Sequence, residues 1–288
     1  MFNTDHLFEE ARLHPLVAAH RGVSSANIPC NTITAYGIAL RQRADIVEID
    51  VARSRDGRLY VFHPGMEPPH LHSERLISDM TAAEVDALRY VNQDDCPTPY
   101  RVNTLDEALD LMKDRCYINV DKFWTCMEEI AACIRAHGME KQVIVKTPCA
   151  AEYFDELERV APDFAFIPMV KKEDRWTDGL LKRNIRYAGA EVIFDSEDDP
   201  VASPGYIRAM HDRGLLVWAN AIVYDSAAVI SAHHTDDGAL AGSPDDHWGW
   251  LLDRGFDIIQ TDWCAMLKAY MADREKAKRG GVLNEHQN

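Results

Sequence analysis

The sequence contains few basic residues and no long apolar run. Lys and Arg total 31 against 47 Asp and Glu, which gives a formal net charge of −16. Binding to duplex nucleic acid needs a cationic face that displaces counterions, so nucleic acid is not expected as a partner. No apolar stretch reaches the length of a membrane-spanning helix, and the N-terminal residues lack an apolar signal segment. We therefore expect a cytoplasmic protein without a membrane span.

Paired cysteine motifs are also absent. The seven cysteines are scattered, and none forms a CxxC pair. This distribution is typical of reduced thiols in a reducing compartment, most of them acting as small core residues.

The remaining composition, 47% hydrophobic and 27% charged residues among 288, is that of a globular protein with a large core. Eight short apolar runs alternate with stretches of helical spacing, as in parallel strands buried on both faces. The pattern predicts an α/β fold, a single (β/α)₈ TIM-type barrel, with a doubly wound open sheet as the alternative. No glycine-rich phosphate loop follows the first run to support that alternative. The runs are Leu16–His20, Asp45–Asp50, Tyr117–Asp121, Gln142–Lys146, Ala165–Val170, Glu191–Phe194, Leu215–Asn220 and Asp257–Asp262.

One apolar run, Leu59–His63, follows the second strand too closely for a crossover helix. The intervening Asp56-Gly57 is a strong signal for a two-residue hairpin turn. A turn centred there predicts an extra hairpin strand after strand 2, with Asp50 opposite His63. We expect the barrel domain to span residues 1–275 and a charged C-terminal tail to span 276–288.

Ionisable and polar side chains end several of the predicted strands, and in barrels this is where catalytic groups lie. Glu48 and Asp50 lie on one face of a strand, about 7 Å apart. Two carboxylates that converge with a third suit a hard cation such as Mg²⁺ or Ca²⁺, although a salt-bridged strand end would look the same. The other strand-end residues are His20, Asp121 with Lys122, Lys146, Asn220 and Asp262.

Two histidines end apolar runs and should face the same opening. His20 is followed by Arg21 and Gly22, and the guanidinium can bind phosphate oxygens while the glycine allows close backbone approach. A lone histidine at such a place is more often a core residue. His20 and His63 together, however, suit a general acid and a general base at neutral pH.

These features resemble the glycerophosphodiester phosphodiesterase family, which has a (β/α)₈ barrel. The resemblance runs from His20 to about Tyr270. It rests on the order and spacing of AHRG at 19–22, NT at 31–32, EIDVARSRDGRLYVFHP at 48–64, NTLDEAL at 103–109, YINVDK at 117–122, VWAN at 217–220 and IIQTD at 258–262.

The resemblance implies roles for individual residues. His20 and His63 would form the acid–base pair, and Glu48, Asp50 and Asp121 would bind one divalent cation, Mg²⁺ or Ca²⁺. The implied substrate-binding residues are Arg21 and Lys122 for the phosphate and Trp218 and Asn220 lining the site. We add Lys146 to them as a strand-end cation.

Three positions depart from the family pattern. Cys30 replaces a usual carboxylate ligand, Lys122 falls one residue early, and Pro64 follows His63 where an aspartate is usual. A thiolate is a poor ligand for Mg²⁺ or Ca²⁺. We expect Cys30 at the mouth of the barrel, near the metal without binding it. It is either reactive through a helix N-terminus at Asn31 or a buried inert thiol.

The sequence therefore predicts a metal-dependent phosphodiesterase for a small anionic glycerophosphodiester-like substrate. His20 would act as base or nucleophile and His63 as acid, with a cyclic phosphate as one route. Two alternatives stay open: a degenerate phosphodiester-binding protein with a weakened metal site, and a glycosidase that uses Glu48 and Asp121.

Overall fold

The computed structural model describes residues 3–225 and 227–285, and a ring of parallel strands forms its centre. The strands, in chain order, are β1 (Leu16–Ala19), β2 (Ile46–Arg53), β3 (Leu59–Val61), β4 (Asn103–Thr104), β5 (Tyr117–Asp121), β6 (Val143–Val145), β7 (Ala165–Phe166), β8 (Met169–Lys171), β9 (Gly189–Ile193), β10 (Leu216–Asn220) and β11 (Ile258–Thr261). The parallel order is β7-β6-β5-β2-β1-β11-β10-β9-β8. Outside this order, β3 pairs antiparallel with both β2 and β4.

The two ends of this order are two halves of one interrupted strand. β7 pairs with β6 and β8 pairs with β9, and only residues 167–168 separate β7 from β8. Residue 168 is a proline, which has no N–H to donate to a ladder and so interrupts the strand. With β7 and β8 counted as one strand, eight parallel strands surround the core, which confirms the predicted barrel.

Most of the helices cover the outside of the barrel, and α1 lies across its amino-terminal end. They are α1 (Thr4–Leu13), α2 (Ile33–Arg41), α3 (Glu67–Leu71), α4 (Ala82–Ala87), α5 (Leu105–Met112), α6 (Met127–Ala136), α7 (Ala151–Val160), α8 (Thr177–Leu180), α9 (Pro204–Asp212), α10 (Asp236–Ala241), α11 (Trp250–Arg254) and α12 (Cys264–Glu285). A capping box formed by Thr104 and Glu107 starts α5. Among the described residues, no helix is both long and apolar enough to cross a membrane.

The last helix passes the boundary expected between barrel and tail. α12 continues without a break through residue 275 to Glu285, and the final three residues of the expected tail lie outside the described part of the chain. The division at residue 275 therefore remains a prediction.

The barrel interior is apolar at its amino-terminal end and polar at its carboxyl-terminal end. Leu7 and Ala11 of α1 pack beneath the strands and close the amino-terminal end. The buried apolar layer above them consists of Leu16, Ala18, Ile46, Tyr117, Ile144, Ala165, Ile167, Ala188, Leu216, Trp218 and Ile258. The carboxyl-terminal rim is therefore the polar end of the barrel, where active sites lie in this fold.

The hairpin after β2 forms, but its predicted register is wrong by one residue. Ala52 pairs with Tyr60, and the N–H of Phe62 donates to the carbonyl of Asp50 at 3.0 Å. The turn has three residues rather than two, because Ser54 N–H bonds to the carbonyl of Arg58, and Gly57 adopts φ 97°. Phe62 therefore lies opposite Asp50, and His63 follows one position later.

Candidate active site

Three carboxylates converge at the carboxyl-terminal rim of the barrel. Glu48 and Asp50 lie on one face of β2, and Asp121 ends β5. The register pairs Asp50 with Asp121, because the two strands are parallel neighbours. One oxygen from each carboxylate lies within 4.8 Å of the others. The structure thus brings the three predicted metal ligands together.

Asp50 is fully buried, and its two oxygens have different surroundings. Oδ2 lies 3.0 Å from Nε of Arg21 and accepts a hydrogen bond from Nδ2 of Asn31 at 2.8 Å. Oδ1 is buried without a hydrogen-bond partner among the described residues. A buried anionic oxygen without a partner is costly, and a cation would satisfy it. This oxygen therefore fits a metal ligand.

Electrostatic repulsion within the cluster also favours a cation. Burial and the charge of Asp50 raise the pKa of Glu48 to about 7. Close carboxylates disfavour each other's ionised forms, and a bound cation reverses that effect. Three oxygen donors suit Mg²⁺ or Ca²⁺, which prefer carboxylate and carbonyl oxygens. Glu48, Asp50 and Asp121 are thus chemically suited to a hard divalent ion.

His20 stands beside this cluster and is oriented by an aspartate from the last strand end. Its Nδ1 lies 2.9 Å from Oδ1 of Asp262. Burial alone would lower the pKa of His20, but the hydrogen bond and charge of Asp262 outweigh it and raise the pKa. A carboxylate on one ring nitrogen fixes the tautomer and leaves the other nitrogen for proton transfer.

Asp262→Asn should therefore lower the pKa of His20, because the variant keeps a hydrogen-bonding group but loses the negative charge. The His20 ring signals followed against pH by NMR in the metal-free protein will measure the change. The reference is His211, which pairs with Asp257 at another place in the fold. An unchanged His20 titration, or an equal shift at His211, would contradict the role assigned to Asp262.

His63 reaches the cluster from the other side despite the shifted hairpin register. Its Nε2 lies 4.0 Å from Oδ1 of Asp50, and its Nδ1 is buried without a hydrogen-bond partner in the described chain. Burial lowers the pKa of His63, and the positive charges of Arg21 and Lys122 lower it as well. The negative charge of Asp50 raises this pKa but does not outweigh them. The two histidines therefore stand in opposite electrostatic environments.

Three residues around the cluster have left-handed backbones. Arg21, Asn31 and Lys122 have φ of 54°, 52° and 60°. Each such residue costs on the order of 1–3 kcal/mol and persists only where its surroundings hold it, most often at functional sites. Here the N–H of Asn31 donates to the carbonyl of Arg21 at 2.9 Å. The loop is thus fixed where Arg21 meets the carboxylates.

Gly22 allows this loop to pack directly on α2. Its φ is +79°, and an added Cβ would lie 2.8 Å from the backbone carbon of Ala35 and 2.9 Å from the Tyr36 ring. Gly22→Ala should lower the free energy of unfolding by about 1–3 kcal/mol through overpacking, in addition to the cost of the left-handed backbone. The control is Gly65→Ala, with φ +91° but open space around the added Cβ. If urea unfolding shows equal losses of stability in Gly22→Ala and Gly65→Ala, close contact with α2 is not the reason that position 22 requires glycine.

A cavity of about 630 Å³ opens above the cluster. Among the predicted residues it is lined by His20, Arg21, Glu48, His63, Asp121, Lys122, Lys146 and Asn220. Within it, Nζ of Lys122 lies 3.2 Å from Asp121. The cavity therefore contains both the acidic cluster and cations suited to an anionic ligand.

Lys146 and Asn220 meet at a residue that sequence reasoning missed. Glu191 accepts from Nζ of Lys146 and from Nδ2 of Asn220, each at 2.9 Å. Trp218 does not line the cavity. It is 1% exposed and belongs to the apolar layer beneath, where Nζ of Lys146 lies 5.5 Å from its ring centre. Trp218 thus supports Lys146 from below.

Comparison with known proteins gives both partial and nearly complete matches. A family model described as a domain of unknown function (DUF4996) matches residues 166–271. Over 77 residues the chain is 43% identical to probable glycerophosphodiester phosphodiesterase 1 of Mycobacterium tuberculosis, covering 27% of this chain and 28% of that protein. It is 25% identical over 224 residues to a Bacillus subtilis glycerophosphodiester phosphodiesterase, covering 70% of this chain and 74% of that one.

Solved structures share the whole fold. A glycerophosphoryl diester phosphodiesterase from Parabacteroides distasonis matches with a TM-score of 0.76 and 20% identity, covering 94% of this chain and 92% of that one. An Oleispira antarctica phosphodiesterase in complex with the product sn-glycerol-3-phosphate matches with a TM-score of 0.66 and 18% identity. The match covers 91% of this chain and 98% of that one. The chain therefore has the fold of these phosphodiesterases, and its sequence is similar to curated glycerophosphodiester phosphodiesterases.

Cys30 stands where the motif of the family that the sequence resembles has a carboxylate, and its surroundings disfavour its thiolate form. Burial raises the pKa of Cys30 to about 11, although Arg21 opposes this effect. The expected helix N-terminus at Asn31 is wrong, because Thr32 caps the helix and Ile33 begins it. Cys30 therefore lies before the helix and does not gain from its dipole. It lines a second groove that also contains His20, Arg21 and Asp262.

Several residues of this site were not assigned a role from the sequence. Asn31 donates a hydrogen bond to Asp50, and Asp262 orients His20. Glu191 pairs with Lys146. Asp262 was predicted to end a strand, but its contact with His20 depends on the order of the strands in the barrel. That contact arises because β1 pairs with β11, which comes from the far end of the chain. A carboxylate inside the apolar run Glu191–Phe194 was the available signal for Glu191.

Proposed function

We propose that this chain is a metal-dependent phosphodiesterase that cleaves glycerophosphodiesters. The proposal rests on one observation, namely the convergence of Glu48, Asp50 and Asp121 with His20 and His63 on one cavity. Three carboxylates without two histidines would suit many metal sites, and two histidines without a cation site would lack charge neutralisation for a phosphodiester. The Oleispira relative, which holds sn-glycerol-3-phosphate, supports the substrate class.

Glu48, Asp50 and Asp121 would hold one divalent cation, Mg²⁺ or Ca²⁺. When bound, it supplies Lewis-acid polarisation of phosphoryl oxygens and neutralises developing charge. Arg21 and Lys122 line the same cavity as cationic donors for the phosphate. Lys146 and Asn220, oriented by Glu191, would contact the alcohol groups of the substrate.

The two histidines divide the proton transfers. His20, oriented by Asp262, accepts the proton of the attacking oxygen or attacks phosphorus itself. His63 donates a proton to the leaving alkoxide, so that the P–O bond breaks with release of a neutral alcohol. An anionic phosphodiester beside His63 favours its protonated form and so offsets the effect of burial. The attacking oxygen is water, or the neighbouring glycerol hydroxyl, which would give a cyclic phosphate.

The substrates expected from this chemistry are the water-soluble diesters left when glycerophospholipids lose their acyl chains. We propose a cytoplasmic location, which is supported by the seven cysteines, all of them free thiols in the structure.

Turnover of bis(p-nitrophenyl) phosphate, with and without chelator, tests the proposed reaction. We expect release of p-nitrophenol that stops with EDTA and returns with Mg²⁺ or Ca²⁺. Aryl glycosides serve as the parallel substrate. Hydrolysis of the glycosides with intact phosphodiesters would favour a glycosidase that uses Glu48 and Asp121. Ligand binding without turnover of either would indicate a binding protein.

The presence of Cys30 favours the alternative of a phosphodiester-binding protein without catalysis. At this position a neutral thiol replaces a carboxylate beside the cluster. Cys30→Glu should tighten Mg²⁺ or Ca²⁺ binding, since an anionic oxygen is a better donor to a hard cation than a thiol. Isothermal titration of the wild type, Cys30→Glu and the isosteric Cys30→Ser will measure the change. Equal affinity in all three proteins would place Cys30 outside the reach of the metal.

A further inference from the structure

A second group of potential metal ligands lies on the helical layer, away from the cavity. Asp106 and Asp110 are one turn apart on α5, and Cys133 and His137 are one turn apart at the end of α6. Residues four apart share one helix face, so each helix presents two ligands side by side. None of the four lines the active-site cavity.

The separations of Asp106 from Cys133 and His137 match those of ligands around one tetrahedral zinc ion. Sγ of Cys133 lies 3.6 Å from Oδ1 of Asp106. Nε2 of His137 lies 3.7 Å from Oδ1 of Asp106 and 3.4 Å from Oδ1 of Asp110. Zinc bond lengths of about 2.0–2.3 Å and tetrahedral angles place nitrogen and oxygen ligands about 3.3 Å apart and sulfur and oxygen about 3.6 Å apart. The ligand atoms of Asp106, Cys133 and His137 all lie within 4.8 Å of one another.

His137 is held in the orientation of a metal ligand. Its Nδ1 lies 2.9 Å from the carbonyl oxygen of Cys133, which fixes the proton on Nδ1. Nε2 faces the two aspartates, and a metal ion there would take the place of a proton. Metal-binding histidines characteristically donate their other ring nitrogen to a carbonyl or a carboxylate in this way. The His137 side chain is 15% exposed, whereas those of Asp106 and Asp110 are 64% and 73% exposed, so solvent reaches the group from one side.

We propose that Asp106, Cys133 and His137 form a zinc site that ties α5 to α6, with Asp110 as a neighbouring carboxylate 3.4 Å from Nε2 of His137. Thiolate and imidazole together select zinc over Mg²⁺ or Ca²⁺, which prefer oxygen ligands alone. On binding, the Cys133 thiol loses its proton to solvent and the zinc–sulfur bond replaces the S–H bond. The site is independent of the carboxylate cluster in the barrel and of the reaction proposed there.

Cobalt(II) provides a direct spectroscopic test, because a cobalt–thiolate bond gives an intense near-ultraviolet charge-transfer band. The full chain is first stripped of transition metals, and the titration is then done in excess Ca²⁺. The Ca²⁺ occupies oxygen-only sites. We expect one equivalent of cobalt to produce the band and zinc to displace it. Cys133→Ser should abolish the band, while Cys30→Ser, which removes the thiol beside the barrel cluster, should retain it. No band in the wild type, or a band that survives Cys133→Ser, would overturn the proposal.

Thermal unfolding supplies a second readout that does not depend on the thiolate band. Zinc should raise the melting temperature of the wild type, because a ligand that binds only the folded state stabilises it. Loss of a ligand in His137→Gln should weaken zinc affinity at least about 100-fold, since changes even to outer partners cost 10- to 100-fold. Comparable zinc affinity in wild type and His137→Gln would also overturn the proposal. The melting temperatures of the metal-free variants report whether they fold.

Discussion

Replacing either His20 or His63 with alanine should lower kcat/KM by about 10²- to 10⁴-fold, the usual cost of removing a general acid or base. Each histidine lines the cavity, and no other imidazole among the described residues does so. The measurement is steady-state cleavage of a glycerophosphodiester at saturating metal. Thermal unfolding will check that the folded population is unchanged.

The matched control is His72→Asn, in the surface segment that follows His63. The His72 side chain is half exposed, and its φ of 52° is one that asparagine tolerates. We expect near wild-type activity in this variant. Retention of more than a tenth of the activity in His20→Ala or His63→Ala would exclude the two-histidine mechanism.

Asp50→Asn should abolish detectable binding of Mg²⁺ or Ca²⁺ and reduce activity by at least about 100-fold, because loss of a direct ligand should exceed the 10- to 100-fold cost of losing an outer partner. Asparagine keeps the shape of the side chain and an oxygen that can accept from Asn31. It removes the charge from the only member of the cluster that has a buried, unpartnered oxygen among the described residues. Isothermal titration should show one site in the wild type.

Glu173→Gln is the control for this variant, since Glu173 also lines the cavity but lies at its exposed edge. It should bind metal like the wild type. Full activity of the wild type in excess chelator, or unchanged metal affinity in Asp50→Asn, would contradict the proposed cation site.

The sequence predicted the barrel because its strands are continuous apolar runs, and burial on both faces leaves a clear pattern. It did not predict the break between β7 and β8, because the effect of Pro168 depends on which neighbour each half pairs with. The hairpin register was missed for a local reason. Asp56-Gly57 suits both two-residue and three-residue turns, and only the bond from Ser54 to Arg58 distinguishes them.

The candidate site was predictable where the residues lie at strand ends. Glu48, Asp50, Asp121, His20 and His63 follow from position and family motifs. Their supporting partners were not predictable, since the contact of His20 with Asp262 joins residues 242 apart. Trp218 illustrates the opposite case. It occupies a family motif, yet it lies two residues before Asn220 on the same inward face of β10, one layer below it.

The most direct test of the proposed activity is ³¹P NMR of glycerophosphoethanolamine incubated with the protein and Mg²⁺ or Ca²⁺. The proposal predicts that the diester signal is replaced by glycerol 3-phosphate, directly or through a cyclic glycerol phosphate. It also predicts no conversion in the presence of EDTA or with the His20→Ala, His63→Ala and Asp50→Asn variants. A diester that stays intact with metal-loaded wild-type protein, or conversion that persists in EDTA and in all three variants, would contradict it.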